Sequence, residues 1–354
     1  MTATGERAPL VLDGIPYARG SRADLAAEAL AAADDAEALA VLLRDCDDWW
    51  DERPPDLAEA RSALAAPTMR EAMSALRLGR VGDYFAHRWS DPVFLAGLAL
   101  LRRVWPERGQ PVREIACGTG VLLRQLALHG VTDLAGGDVV MAKLWLARQF
   151  VLPAESSVEL ACFDAVADPW PWSESDGGVL VCHDAFYFLP DPAGTARRLA
   201  RAAGRLVVGG VPNRLVQRGG GGHHFSPTEL LDLFPGAEAY DDDELVAEAV
   251  WGQPARPRSA RELEQASSVS LVLRPRDDID AVPDPAAPLP WRELRVNPLY
   301  GADGRQSWPS ERYARDYAAR SDYLPRVLPD EEDLLLRRES WARRRVLLDL
   351  PDRW

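Results

Sequence analysis

The residues in this 354-residue chain that point most directly to chemistry lie in Val112-Arg-Glu-Ile-Ala-Cys-Gly-Thr-Gly-Val-Leu-Leu-Arg-Gln-Leu. A short apolar run carrying an acidic residue, Glu114, leads into a Gly-x-Gly turn, and a helical pattern follows. Glycines at 118 and 120 let the backbone approach a ligand closely, at the carboxyl end of a strand, where open α/β sheets bind their ligands. A nucleotide-like cofactor is the expected occupant. The dinucleotide fingerprint requires glycine or alanine three residues after Gly120, and Leu123 stands there, so a pyrophosphate-binding dehydrogenase loop is disfavoured.

The segment resembles motif I of the class I S-adenosylmethionine-dependent methyltransferases, an acidic residue followed by three residues and Gly-x-Gly, matched by Glu114, Gly118 and Gly120. The family's second strand ends in an acidic residue that holds the ribose hydroxyls. The resemblance gives that role to Asp138, after Gly136-Gly137, with Val139 beside it. It sets Cys162-Phe163-Asp164-Ala165 beside the adenine and Val181-Cys182-His183-Asp184-Ala185-Phe186-Tyr187-Phe188-Leu189-Pro190-Asp191 along the methyl-donor site. Phe225-Ser226-Pro227-Thr228-Glu229-Leu230 has the form of a helix-opening segment common in small-molecule members. The implied cofactor is S-adenosyl-L-methionine, bound by Glu114, Cys117, Gly118, Gly120, Asp138, Val139, Asp164, Ala165 and His183. Plainer roles exist for several of these. Asp138 can cap the helix at Val139, Asp164 can be a turn residue, and Cys117, Cys162 and Cys182 can be small buried residues at strand ends.

Methyl transfer is an in-line displacement on a sulfonium carbon. The protein aligns the acceptor and, where the acceptor carries a proton, supplies a base. His183 with Asp184 is the first candidate, because the pair sits where the fourth strand opens on the methyl site. His223 and His224, after the run Gly219-Gly220-Gly221-Gly222, form the second, with His224 the one to test; the other reading is a plain surface loop. His87, in Tyr84-Phe85-Ala86-His87-Arg88-Trp89, lies where related enzymes place a helical lid, and His129 reads as a helix cap beside Gly130. Asn297-Pro298-Leu299-Tyr300 reads as a tail turn packing its tyrosine. Asp241-Asp242-Asp243-Glu244 reads as a solvated charge run, and no metal site is expected.

These residues need elements to hold them. Short apolar strands at 112–116, 133–137, 158–163, 178–182 and 205–210 alternate with helical stretches at 121–129, 141–150 and 191–203, the pattern of a parallel sheet with crossover helices. A capping box at Ser226-Pro227-Thr228-Glu229 opens a further helix, and 244–251 with 268–273 read as a closing antiparallel hairpin. The fold class is therefore α/β, a Rossmann-like doubly wound sheet of the class I methyltransferase type. Residues 1–90 read as a helical N-terminal segment or lid, with a turn at 51–55. Residues 91–276 read as the cofactor-binding domain, and 277–354 as a Pro- and Asp-rich linker followed by an aromatic-rich extension. A helix opening at Asp91-Pro92 leads into the sheet.

Composition bounds the function. Lys+Arg 41 against Asp+Glu 55 gives a net charge of −14, a field that repels phosphate backbones and anionic membranes, so neither nucleic acid nor a membrane is an expected partner. The four cysteines, Cys46, Cys117, Cys162 and Cys182, show no metal or disulfide spacing and are expected as reduced thiols. The longest apolar run, 94–101, is too short to span a bilayer and 1–13 lacks a signal-peptide core, so a cytoplasmic protein is expected. The expected reaction is S-adenosylmethionine-dependent methylation of a small-molecule acceptor, a metabolite or natural-product intermediate, with a homodimer as the candidate assembly. Two rival readings are a methyltransferase-fold protein using the cofactor for another reaction, such as cyclisation, and a non-catalytic partner subunit.

Overall fold

The computed structural model describes residues 10–45, 53–174, 176–217 and 221–354. Cys46, Gly219, Gly220, residues 51 and 52 of the expected turn, and residues 1–9 lie outside the described residues. The strands in chain order are β1 (Leu10–Leu12), β2 (Ile15–Tyr17), β3 (Val112–Ile115), β4 (Leu134–Asp138), β5 (Glu159–Cys162), β6 (Val179–His183), β7 (Arg205–Pro212), β8 (Glu238–Asp241), β9 (Ser268–Leu273), β10 (Arg295–Val296) and β11 (Leu347–Leu348). The helices are α1 (Ala23–Leu30), α2 (Asp35–Leu42), α3 (Leu57–Leu64), α4 (Met69–Ala75), α5 (Gly79–His87), α6 (Pro92–Val104), α7 (Val121–Leu128), α8 (Met141–Leu146), α9 (Pro192–Ala202), α10 (Pro227–Leu233), α11 (Asp242–Trp251), α12 (Glu311–Tyr317), α13 (Glu331–Leu336) and α14 (Arg338–Arg343).

Among the described residues, nine strands form one sheet in the order β1-β2-β5-β4-β3-β6-β7-β9-β8. The run from β2 to β7 is parallel, and β9 enters antiparallel between β7 and β8. The chain leaves β3 towards β4 and β5, then crosses back to place β6 on the other side of β3. That reversal opens a crevice at the strands' carboxyl ends. Helices α6, α7, α8 and α11 cover one face and α9 and α10 the other, each with its own buried apolar cluster. The chemistry of the helix starts is as the sequence indicates. Asp91 accepts from the Phe94 N–H at 2.7 Å with Pro92 at the first helical position, and Ser226 and Glu229 form a reciprocal capping box.

Two sequence readings are corrected. Residues 244–251 are not a strand but most of α11. Three acidic residues favour its N-terminus, Asp241 caps it by accepting from the Asp243 N–H, and Gly252 ends it in the left-handed conformation at φ 68°. In place of 244–251, β9 pairs with β8, upstream of α11, and on its other side with β7. The N-terminal segment is not wholly helical, because Asp13 and Gly14, at φ 51° and 70°, turn β1 back on β2. That hairpin extends the sheet past β5, with the Ala18 N–H donating to the Cys162 carbonyl at 2.8 Å.

The segment after residue 276 folds back over α4–α7. The Tyr323 hydroxyl donates to the Ser90 carbonyl at 2.8 Å, Trp354 Nε1 to the Ala86 carbonyl at 2.7 Å, and the Met69 N–H to the Arg353 carbonyl at 2.8 Å. Asn297 and Tyr300 form the buried turn expected of them, on the Arg345, Leu299 and Pro325 backbone. Asp242 departs from the expected solvated run, being fully buried and accepting from the Ser270 hydroxyl at 2.6 Å. Among the described residues no helix is long and apolar enough to cross a membrane.

On the α6 face, buried Arg103 makes two bonds to Glu248 of α11, at 3.1 and 2.7 Å, and lies 4.5 Å above the Tyr240 ring. Arg103→Met leaves the buried Glu248 carboxylate with only the longer contact to Arg102, at 3.5 Å, which costs up to about 3 kcal/mol. The expected outcome is a lower urea midpoint with an unchanged m-value; an unchanged midpoint would show that the pair adds nothing.

Candidate cofactor site at the sheet's carboxyl edge

Strand β3 delivers the chain to a turn that only glycine enters easily. Ala116, Gly118 and Gly120 have φ of 55°, 55° and 71°, and Gly120 begins α7. A Cβ added to Gly118 would meet nothing closer than Phe85, at 3.9 Å, so the turn is an open cradle and not a packing constraint. Asp138, at the end of β4, faces it. Its carboxylate accepts from the Gly118 N–H at 2.9 Å and the Val140 N–H at 3.0 Å, and Lys143 lies 3.7 Å away. Each oxygen has thus accepted one backbone bond and retains capacity for another donor. The capping role considered for Asp138 is present, alongside room for a ligand.

Glu114 lies beneath the turn. It is 4% exposed, and its Oε2 is sealed from solvent with no hydrogen-bond partner among the described residues. Burial pushes its carboxyl up to about 8, with Asp138 adding to the rise and Arg88 opposing it. At neutral pH the group is therefore held protonated beneath the glycine turn, a buried polar group that is only partly satisfied. Beyond it, a cavity of about 210 Å³ is lined by Ile115, Ala165, Trp170, Leu189, Asp191 and Arg198, among others. Ala165 holds this wall by accepting from Trp170 Nε1 and Arg198 Nη1, both at 2.8 Å. Asp164 makes the turn, accepting from the Val166 and Ala167 N–H groups at 2.8 and 3.1 Å. Val139 accepts a weak Sγ contact from Cys162, and Cys117, Cys162 and Cys182 are buried free thiols.

The histidines are arranged differently from expectation. His183 does not face this crevice. Its ring is wedged under α6, with Nε2 2.8 Å from the Val93 carbonyl and Nδ1 sealed without a partner against Gly209, whose backbone leaves no space for a side chain. Burial and then Arg88 push the imidazole down to about 4. In this structure the ring is sealed from solvent with one nitrogen engaged by a carbonyl, an arrangement that does not favour the roles of base and cofactor ligand expected of it. His87 is likewise buried, edge-on to Tyr313 and Trp354. His129 caps α7, with Nδ1 2.9 Å from the Gln125 carbonyl. His224 is half-buried and His223 exposed, the latter donating its N–H to the Tyr187 carbonyl at 2.6 Å.

Asp184 is the candidate left at the crevice. It is left-handed at φ 56°, a strained conformation for a non-glycine residue, and accepts from the Tyr187 hydroxyl at 2.8 Å and Arg88 Nη2 at 2.9 Å. Its side chain is 24% exposed. Arg88 also reaches Asp91 at 3.2 Å, tying α6 to the sheet edge. Arg88, Phe85 and Tyr187 escaped the sequence reading. The signal was present, since Phe85 and Arg88 lie in the segment singled out for His87 and Tyr187 in the segment set along the methyl-donor site, each without a role of its own, and Lys143 is the chain's only lysine. Among the described residues no cluster of three metal-binding side chains occurs.

No protein-family model and no curated protein sequence matches the chain. Among solved structures it is similar to an S-adenosylmethionine-dependent methyltransferase from Mesorhizobium loti, at 15% identity and TM-score 0.38 over 51% of this chain and 96% of that one. It is similar to phosphoethanolamine N-methyltransferase 2 of Haemonchus contortus in complex with S-adenosyl-L-methionine, at 16% identity and TM-score 0.42 over 59% and 60%. It is also similar to the [4+2]-cyclase SpnF, at 16% identity and TM-score 0.36 over 51% and 79%.

The buried neutral imidazole of His183 has a thermodynamic signature. Because its folded-state value lies below the ordinary 6.5, the unfolded chain takes up a proton first, and stability is lost as pH falls from about 6.5 towards 4. His183→Phe should make the stability-versus-pH slope between pH 4.5 and 6 shallower by about 1.4 kcal/mol per pH unit, one proton's worth. Chemical denaturation across that range checks it, and an unchanged slope would mean that the ring is accessible after all.

Proposed function

We propose that the chain binds S-adenosylmethionine at the β3–β4 edge and catalyses methyl transfer to a small-molecule acceptor. The observation that carries this reading is the left-handed glycine turn, open at Gly118 and faced by the part-satisfied carboxylate of Asp138. In this reading Asp138 accepts ribose hydroxyls, the Gly118–Gly120 backbone lies along the cofactor, and the wall formed by Ala165 and Leu189 takes the base. S-adenosylmethionine, when bound, supplies an electrophilic methyl group on a sulfonium centre.

The chain's own task is then to align the acceptor, exclude water and manage a proton. Phe85, against the cradle, and the α5 helix that carries it shield the edge from solvent. Asp184 is the carboxylate available to take or hold the acceptor's proton, oriented by Tyr187 and Arg88. His224 is the alternative base.

Gly118→Val introduces a β-branched side chain where φ is positive and where the cofactor would lie, so calorimetry should show no S-adenosylmethionine binding by a variant whose circular dichroism is native. Asp138→Ala should weaken binding by about 1–3 kcal/mol, the scale of lost charge-assisted hydrogen bonds. Unchanged affinity in both folded variants would remove the cofactor assignment. Mass spectrometry of cell extract incubated with protein and cofactor should then reveal a product heavier by one methyl group. Binding without any methylated product would favour another reaction on the same fold.

A further inference from the structure

The C-terminal extension contains a half-buried guanidinium, that of Arg345, that makes no ion pair among the described residues. Helix α14 closes with the Val346 N–H donating to the Trp341 carbonyl at 2.9 Å and the Arg345 N–H to the Ala342 carbonyl at 3.0 Å, a Schellman motif. The motif puts its C′ residue in the left-handed region, where glycine is the usual choice. Here it is Arg345, at φ 57°, one of three left-handed arginines among the described residues. That side chain packs towards α6, its guanidinium 5.7 Å from the Phe94 ring, and lines a small cavity with Trp89, Leu289, Leu347 and Asp349. Its Nε and Nη2 are sealed from solvent and have no hydrogen-bond partner among the described residues.

The neighbouring carboxylates are already engaged. Asp349 accepts from Arg124 and from Arg292, both at 2.9 Å, and Asp284 accepts from Arg343 at 2.7 Å. Four guanidiniums therefore share two partly buried carboxylates, while Asp352 and Glu339 stand mostly in solvent. Burial pushes Arg345 down to about 10, which still leaves it protonated at neutral pH. Two sealed N–H donors without acceptors on a charged group are unfavourable, and an anion from solution would satisfy both.

We propose that this cavity is an anion site in which Arg345 Nε–H and Nη2–H hold one monatomic halide, chloride in practice. The volume, about 20 Å³, admits a single water-sized body. Phosphate, sulfate and carboxylate metabolites are too large, and the Gln125 amide on its wall is already donating to the Pro285 carbonyl. The halide pins the extension to α6, so it acts on stability and leaves the methyl-transfer edge alone.

The test is thermal unfolding of the full chain in sodium chloride against sodium gluconate at matched ionic strength. Wild-type Tm should rise saturably by several degrees between about 1 mM and 200 mM chloride, as for a ligand that binds only the folded state. Bromide should act alike. Arg345→Met should lose the halide response, and Arg338→Met, at an exposed arginine, should keep it. Equal wild-type Tm values in the two salts, or a halide response surviving in Arg345→Met, would overturn the proposal and leave water in the cavity. Should Arg345→Met not fold, anomalous scattering from bromide-soaked wild-type crystals decides. A peak within hydrogen-bond reach of Arg345 Nε and Nη2 supports the site, and its absence at full soak overturns it.

Discussion

The carboxyl ends of two adjacent parallel strands diverge into separate loops, and in this protein the carboxylate of Asp138 holds them together. It accepts from the Gly118 N–H on one side and from the Val140 N–H on the other, so the turn after β3 and the start of the helix after β4 share one anchor. Backbone donors at a sheet edge would otherwise need water or a ligand. With that bridge in place the Gly-x-Gly turn is held open, α7 and α8 start at defined positions, and Glu114 is sealed beneath the turn with one oxygen unsatisfied. The candidate cofactor edge follows from this arrangement of two carboxyl groups and two glycines.

Around that anchor, charge is distributed with little redundancy. Arg88 serves Asp91 and Asp184 together and lowers the cost of burying Glu114. It joins the start of α6, the loop after β6 and the underside of the glycine turn. The same cation, together with burial, depresses His183, whose ring packs between α6 and the glycines of the sheet. One guanidinium therefore orders Asp184 towards the crevice and helps keep His183 neutral.

The N-terminal helices and the C-terminal extension act on the same region from outside the sheet. Tyr313 donates to the His87 carbonyl, Trp354 to the Ala86 carbonyl and Tyr323 to the Ser90 carbonyl, and the Tyr84 hydroxyl donates to Asp316. Each partner in the N-terminal part lies between residues 84 and 90, the stretch that carries Phe85 and Arg88. The aromatic richness of the extension thus has a structural meaning: phenol and indole groups bury ring area and still donate a hydrogen bond to a helix end.

The sequence by itself determined the alternation of strands and helices, the starts of α6, α9 and α10, and the placement of Glu114, Gly118, Gly120 and Asp138 around one edge. These features depend on local chemistry: periodicity, capping side chains, proline at a first helical turn, and glycine where φ is positive. Tertiary structure decided the rest. Residues 244–251 are apolar enough for a strand and became a helix because the acidic N-terminus and Gly252 favoured one while β8 supplied the pairing for β9. His183 and Asp184 are adjacent in sequence and were expected to act together, yet the alternation of side chains along β6 sends the histidine under α6 and leaves the aspartate at the crevice. Arg88 became central only because residues about ninety positions apart brought their carboxylates to it, and no local pattern encodes a partner at that distance.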